Sequence, residues 1–210
     1  KMPWYKGTTL LYHLENVNIG NDNNLRDARY PVQSIIRPHS DKYHDYRGYA
    51  GRVAGGIFRK GDKVMVLPSG FTSTIKSVEL YGEEINEAFS PMSVTLRLND
   101  EIDISRGDMI VRENNLPEVG QDIECYVAWM DETPLKPNGK YAIKHTSKDV
   151  KCIVKEIAYK MDINNLSRIT ENFQIELNDI GKIKLRTTKP LFYDSYNKNR
   201  LTGSFIMIDE

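Results

Sequence analysis

The stretch RKGDKVMVLPSG, residues 59–70, places a turn, a short strand and a second turn directly after one another. Its first four residues combine a glycine with polar residues that favour turns. Val64 and Val66 are then separated by a single residue, which is the period-two spacing of a strand with one buried face. Pro68-Ser69-Gly70 supplies the next turn signal. This pattern predicts a chain built from short, closely connected β-strands.

The same succession of apolar runs and turns continues on both sides of this stretch. A polar segment containing Pro117 and Gly120 divides it into two regions and is typical of a linker. We predict strands at residues 31–36, 48–58, 63–67, 72–81, 93–98 and 109–111, and then at residues 123–130, 141–144, 150–162, 173–177, 180–187 and 204–208. Evenly spaced short strands favour barrels, which leave no exposed sheet edge. The predicted fold is therefore all-β, with two consecutive small β-barrels at residues 25–113 and 117–210.

One short helix is predicted ahead of these strands. Leucines and other apolar residues recur at helical spacing between Thr9 and Val17, and Thr8-Thr9 can cap the first turn. The polar run at residues 18–24 ends the pattern. A single amphipathic helix ahead of an all-strand region needs an apolar surface to cover it, so we expect its packing partner outside this chain.

Composition limits the classes of partner. Lys plus Arg and Asp plus Glu both total 29, so the formal net charge is zero. This balance disfavours nucleic acid as the main partner, because phosphate binding usually requires a basic excess. No apolar run approaches the roughly 20 residues that span a bilayer. Cys125 and Cys152 lie outside any metal-ligand spacing and are predicted to be free thiols, which suits a reducing cytoplasm.

The motifs that usually indicate catalysis are missing from the sequence. There is no phosphate-binding loop of the G-x-x-x-x-G-K-[ST] type. The carboxylates between Asp100 and Asp108 lack the spacing of a calcium loop, and Asp103 alternates with isoleucines as an exposed residue would. His145 is interpreted as a structural or interface histidine rather than a general base. We therefore predict no catalytic, cofactor-binding or metal-binding residue in this chain.

The most basic stretch is residues 182–189. Its Lys and Arg residues alternate with Ile183 and Leu185, which predicts the solvated face of a single strand. A groove for single-stranded nucleic acid stays open as an alternative, because aromatic residues follow at 192–196 and bases stack on such side chains.

Several motifs together resemble one family. Residues 2–11, MPWYKGTTLL, resemble the segment that ends the GTPase domain in elongation-factor-like proteins, and residues 59–62 with 75–78 resemble that superfamily's second-domain barrel. More selective stretches are DYRGYAG at 45–51, DEIDISRGD at 100–108, YKMDIN at 159–164 and NRLTGSFIMID at 199–209. These are similar to the GTPase subunit of bacterial ATP sulfurylase, also called sulfate adenylyltransferase subunit 1.

The resemblance implies a function for the complete protein. In that family a small subunit converts ATP and sulfate to adenosine 5′-phosphosulfate and pyrophosphate, while the large subunit hydrolyses GTP. Residues 1–24 would then be the C-terminal helix remnant of a GTPase domain that holds GTP and magnesium and lies outside this chain. The chain alone would bind no cofactor and would be inactive. Its implied partners are the small catalytic subunit and its own GTPase domain, with no nucleic acid and no membrane.

Within the distinctive motifs we single out four candidate interface residues because they are large or polar: Arg47, Tyr49, His145 and Arg200. The alternative is that they satisfy turns and barrel ends. Two other functions stay open for the whole chain: the tRNA-binding barrels of a translation elongation factor, and a scaffold without affinity for a sulfurylase subunit.

Overall fold

The structure, a computed structural model, describes residues 4–17, 24–38 and 46–209. The other residues, which include parts of the predicted segment 1–24 and of the motif at 45–51, lie outside this description. Within the described ranges the elements are α1 (Leu10–Asn16), β1 (Arg29–Ile36), β2 (Gly48–Arg52), β3 (Ile57–Arg59), β4 (Lys63–Leu67), β5 (Thr72–Leu80), β6 (Glu83–Ile85), β7 (Glu87–Phe89), β8 (Ser93–Leu98), β9 (Met109–Arg112), β10 (Glu118–Ala128), β11 (Lys140–His145), β12 (Lys148–Met161), β13 (Arg168–Ile169), β14 (Ile180–Tyr193) and β15 (Ile206–Asp209).

The predicted helix is confirmed. The Oγ1 atom of Thr9 accepts a hydrogen bond from the backbone N–H of Tyr12 at 3.2 Å, which is the expected N-terminal cap. No residue of α1 is buried, so the apolar side chains between Leu10 and Leu14 find no packing surface within the described residues.

The first region forms a seven-stranded sheet in the order β4-β9-β1-β2-β8-β5-β6, and an additional pairing of β4 with β5 closes it on itself. All its pairings between neighbouring strands are antiparallel. Val64 and Val66 are fully buried, as their spacing predicted, and they join a core that includes Tyr30, Phe58 and Leu96. Burial of this inward-facing set is what stabilises the barrel.

The second region is a six-stranded antiparallel sheet in the order β10-β14-β12-β11-β15, with β13 paired to β12. Ile183 and Leu185 on β14 point into its core. The intervening Lys184 forms an ion pair with Glu156 at 2.9 Å, and Lys182 pairs with Glu124. The prediction that this basic stretch is the solvated face of one strand is confirmed.

The predicted linker is partly wrong, because β10 already begins at Glu118 and its Gly120 pairs with Leu191 of β14. Two predicted strands also differ from the structure in kind. The strand expected at residues 48–58 is two strands, β2 and β3, because Gly56 has a φ angle of +71° and turns the chain between them. The strand expected at residues 173–177 is absent: the segment is a loop whose Ile175 is fully buried against the second core. An apolar loop residue that fills a core produces the same sequence signal as a strand residue.

Gly56 has no space for a side chain. A Cβ atom there would lie 2.4 Å from the Cα atom of Ala28 and 2.7 Å from its nitrogen. Gly70 has a similar φ angle, +75°, but nothing lies within 4 Å of the position its Cβ would take. Substitution of Gly70 by alanine therefore measures only the free-energy cost of the left-handed backbone. Substitution of Gly56 measures that cost together with the cost of a steric clash with the backbone.

We expect Gly56→Ala to lower the free energy of unfolding by about 3 kcal/mol or more, because clash and backbone strain add. Gly70→Ala, the matched control, should cost only about 1 kcal/mol for the backbone conformation. Urea unfolding followed by circular dichroism measures both, and equal losses would contradict the packing described for Gly56.

Candidate functional site

Arg47 and Tyr49 lie together at the start of β2. The Arg47 guanidinium lies 5.6 Å from the centre of the Tyr49 ring, and its Nη2 atom is 3.2 Å from Oδ1 of Asp103. The Tyr49 side chain is buried, and its hydroxyl donates to the carbonyl oxygen of Ile102 at 2.9 Å. Burial raises the pKa of this hydroxyl. Tyr49 thus orients Arg47 from within the barrel.

His145 belongs to the second sheet, and it is bonded to the loop that carries Arg200. His145 ends β11 and is buried, with its Nε2 atom 2.8 Å from the carbonyl oxygen of Thr202. Burial lowers the pKa of His145 below its ordinary value, which favours the neutral ring. Arg200 is exposed and lies over the ring of Tyr196 at 5.9 Å. Of the four candidates, Arg47 and Tyr49 are in contact, and the assignment of all four to an interface stays a prediction.

The most tightly connected polar group is one that the sequence analysis did not identify. Arg29, at the start of β1, is fully buried and forms a two-pronged ion pair with Asp194, which follows β14. The Nε to Oδ2 distance is 2.8 Å and the Nη2 to Oδ1 distance is 2.9 Å. The Nη1 atom donates to both oxygens of Asn115 at 2.7 Å and to the Ala28 carbonyl at 3.0 Å. We call this group the Arg29 joint, because it links the first barrel to the second β-region.

A shell of amides surrounds the Arg29 joint. The side chain of Asn115 donates to Oδ1 of Asp27 at 2.7 Å, and that of Asn24 donates to Oδ2 at 2.6 Å. Burial by itself would raise the pKa of Asp27. The hydrogen bonds from Asn24 and Asn115 and the charge of Lys198 outweigh it, and the pKa lies below its usual value. Asp27 is therefore held as a carboxylate.

The motif at residues 199–209 supplies the other half of this shell. The Asn199 amide donates to the carbonyl oxygen of Ala54 in the first barrel at 3.0 Å, while its Oδ1 atom accepts from the backbone of Leu201 and Thr202. The Thr202 hydroxyl donates to Oδ2 of Asp194 at 2.9 Å. A Cβ at Gly203 would lie 2.5 Å from the Cα of Tyr196. The motif thus has a structural role: Asn199 binds the first barrel and Thr202 holds Asp194 in place for its ion pair with Arg29.

An apolar contact lies beside these polar groups. Phe192 of β14 packs with Leu67, Met109 and Val111 of the first barrel. Lys148 lies over the Phe192 ring at 4.8 Å and donates to the Pro190 carbonyl at 2.8 Å. The two barrels are consequently joined by a buried ion pair and by a shared apolar cluster.

Within the described ranges, no group of three or more His, Cys, Asp or Glu side chains is arranged to hold a metal ion. Nor does that part of the chain contain a helix with the length and apolarity needed to cross a bilayer. Cys125 and Cys152 are free, and burial raises their pKa values to about 12 and about 11.

The arrangement of β-domains defines the class of protein. The family described as GTP-eEF1A C-terminal domain-like matches residues 122–210. The structure of Sup35 complexed with GMPPNP aligns with 100% of this chain and 50% of its own chain, with a TM-score of 0.78 and 17% identity. The elongation factor SelB of Methanococcus maripaludis aligns with 88% of this chain and 39% of its own, with a TM-score of 0.62 and 16% identity. The fold is that of the β-domains of translation factors.

Sequence similarity identifies the family more narrowly. Sulfate adenylyltransferase subunit 1 of Bacteroides thetaiotaomicron is 46% identical over 217 residues, which cover 100% of this chain and 44% of that protein. The bifunctional enzyme CysN/CysC of Mycobacterium tuberculosis is 46% identical over 208 residues, which cover 99% of this chain and 34% of that protein. Over its whole length the chain is therefore similar to sulfate adenylyltransferase subunit 1 proteins, and it spans less than half the length of these relatives.

We expect Asp194→Ala to lower the free energy of unfolding by about 3–5 kcal/mol, because it leaves the buried charge of Arg29 without its counter-ion. The control is Asp122→Ala, which removes an exposed pair with Arg186 at 3.7 Å and should cost at most about 1 kcal/mol. Urea unfolding measures both variants. A loss for Asp194→Ala no larger than that of the control would show that the joint does not stabilise the protein.

Proposed function

We propose that this chain is the two-barrel part of the GTP-hydrolysing subunit of sulfate adenylyltransferase, where it acts in interdomain coupling and in docking of the small catalytic subunit. The observation that carries the proposal is the 46% identity to subunit 1 relatives along the whole chain. The match covers both β-regions and the whole of this chain, whereas the translation-factor structures share only 16–17% identity with it.

The proposed reaction explains why coupling is needed. Formation of adenosine 5′-phosphosulfate and pyrophosphate from ATP and sulfate is strongly uphill, and GTP hydrolysis would drive it. Transfer of that free energy requires an element whose position differs between nucleotide states. Two barrels joined by a buried ion pair and a shared apolar cluster suit this role, because displacement of one carries the other with it.

The chemistry itself would take place elsewhere in the complex. Adenylyl transfer is assigned to the small subunit, and GTP with magnesium to the GTPase domain of the complete large subunit. By this proposal the two-barrel chain alone is inactive in both reactions. The free thiols of Cys125 and Cys152 favour a reducing compartment, the cytoplasm.

Arg200 is the candidate best placed for docking. It is exposed beside Tyr196, which is itself 55% exposed, and together they present a cation over an aromatic ring. Arginine and tyrosine are enriched among the residues that dominate protein–protein binding energy. The loop that carries them is held by Asn199 and Thr202, so the pair is presented on an ordered surface.

We expect the two-barrel chain to bind the purified small subunit of the same enzyme in titration calorimetry, with the complete large subunit as the reference. Arg200→Ala should weaken the affinity about tenfold, or about 1.4 kcal/mol. Lys155→Ala, which removes an exposed cation from the outer face of β12, should leave it unchanged.

Three outcomes would contradict parts of the proposal. If the complete large subunit bound the small subunit and the two-barrel chain did not, the docking surface would lie outside the barrels. Equal effects of the Arg200 and Lys155 variants would exclude Arg200 as a docking residue. Absence of binding in both forms, together with a tRNA affinity that falls steeply with salt, would favour the translation-factor function instead.

A further inference from the structure

The end of the second β-region that lies away from the Arg29 joint exposes apolar side chains. β14 contacts the first barrel through Phe192, near its last residue, and its first residue, Ile180, lies at the opposite end of the strand. Two connections meet there, residues 129–139 between β10 and β11 and residues 162–179 between β12 and β14. We call these connections, with the strand ends that carry them, the distal end. The docking proposed for Arg200 does not use this surface.

An apolar row crosses three strands at the distal end. Ala128 of β10 pairs with Ile180 of β14, which in turn pairs with Met161 of β12. Directly paired residues point to the same face of a sheet, and Ala128 and Ile180 are exposed, so this is the outer face. Met130 and Ile163 lie two residues beyond the row, and they are 75% and 65% exposed. The row and these two side chains present apolar surface to solvent.

The connections that carry these side chains are fixed by backbone hydrogen bonds. The Trp129 N–H donates to the carbonyl oxygen of Asp179 at 2.9 Å, and the Asn178 N–H donates to the carbonyl oxygen of Trp129 at 2.7 Å. Leu166 and Leu177 add two more exposed apolar side chains. Exposed apolar patches mark surfaces that bind other molecules, and an ordered patch loses less conformational freedom on binding.

The distal end is also acidic. Its two cations are Lys136 and Arg168, and Lys160 of β12 supplies a third through its ion pair with Asp179 at 2.6 Å. Lys182, further along β14, does not alter the balance because it pairs with Glu124. The two connections carry six carboxylates: Asp131, Glu132, Asp162, Glu171, Glu176 and Asp179. Six carboxylates and three cations leave three net negative charges beside the apolar row.

This charge selects among the molecules that could cover the apolar row. A second copy of the chain would place the same acidic surface opposite itself, and the like charges would repel. The surface of a membrane that contains anionic lipids would be repelled for the same reason. A protein surface with lysine or arginine around its apolar side chains would instead be attracted.

We propose that the distal end binds a separate protein whose contact surface combines apolar side chains with lysine or arginine. Burial of the apolar row supplies affinity, while the opposite charges favour encounter and exclude acidic competitors. The distal end and the Arg200 loop lie at opposite ends of β14, so this partner is distinct from a subunit docked at Arg200.

The test is a titration of the ¹⁵N-labelled chain with a short helical peptide of leucine and lysine, and separately with the same peptide carrying glutamate in place of lysine. We expect the lysine peptide to cause saturable shifts at the amides of residues 128–132 and 161–180, and the glutamate peptide to cause none there. The double variant Glu132→Gln/Glu171→Gln, which removes two of the negative charges, should weaken binding of the lysine peptide about threefold.

A matched pair of isoleucine variants tests the apolar contribution. Ile163→Ser should weaken binding of the lysine peptide about fivefold, because it removes apolar surface from the contact. Ile206→Ser, the control, removes an isoleucine of similar exposure, 62%, from β15 and should leave the affinity unchanged.

Four results would overturn the proposal. Equal affinity for the two peptides would contradict the argument from charge, and equal weakening by the two isoleucine variants would contradict the location. Shifts confined to α1, or spread over both β-regions without saturation, would place the binding elsewhere. Concentration-dependent shifts at residues 128–132 in the absence of peptide would identify a second copy of the chain as the occupant.

Discussion

The ion pair between Arg29 and Asp194 is the interaction on which the arrangement of the two barrels depends. A buried guanidinium is stable only when its charge and its N–H groups are matched, and Arg29 makes five hydrogen bonds, two of them to Asp194. The acceptors come from the first barrel, from the segment between the barrels and from the end of β14. One side chain therefore fixes the relative position of three parts of the chain.

The surrounding contacts protect this pair from water. Phe192 packs against apolar side chains of the first barrel on one side. Asn199 reaches across to the carbonyl oxygen of Ala54 on another. Exclusion of water strengthens the electrostatic attraction, and it also raises the penalty for losing either charge. The same contacts that join the barrels place the exposed Arg200 loop beside the joint.

Local elements were predictable, but the joint was not. The alternation at residues 63–67 and 182–186 predicted strands and their buried faces, because a side-chain period of two is a local property of the chain. Arg29 and Asp194 are 165 positions apart, and neither residue type indicates burial on its own. Tyr49 and His145 were candidate interface residues because they are large or polar. The structure shows that both are buried, which depends on the side chains packed around them. Ile175 shows the reverse case, since its apolar segment predicted a strand that the structure replaces with a loop.

Differential scanning calorimetry of the unmodified chain shows whether the two barrels unfold as one unit. If the joint couples them, unfolding will occur in a single transition whose calorimetric enthalpy equals its van't Hoff enthalpy. Two resolved transitions, with Trp129 fluorescence changing in only one of them, would show that the barrels unfold independently and would contradict the account.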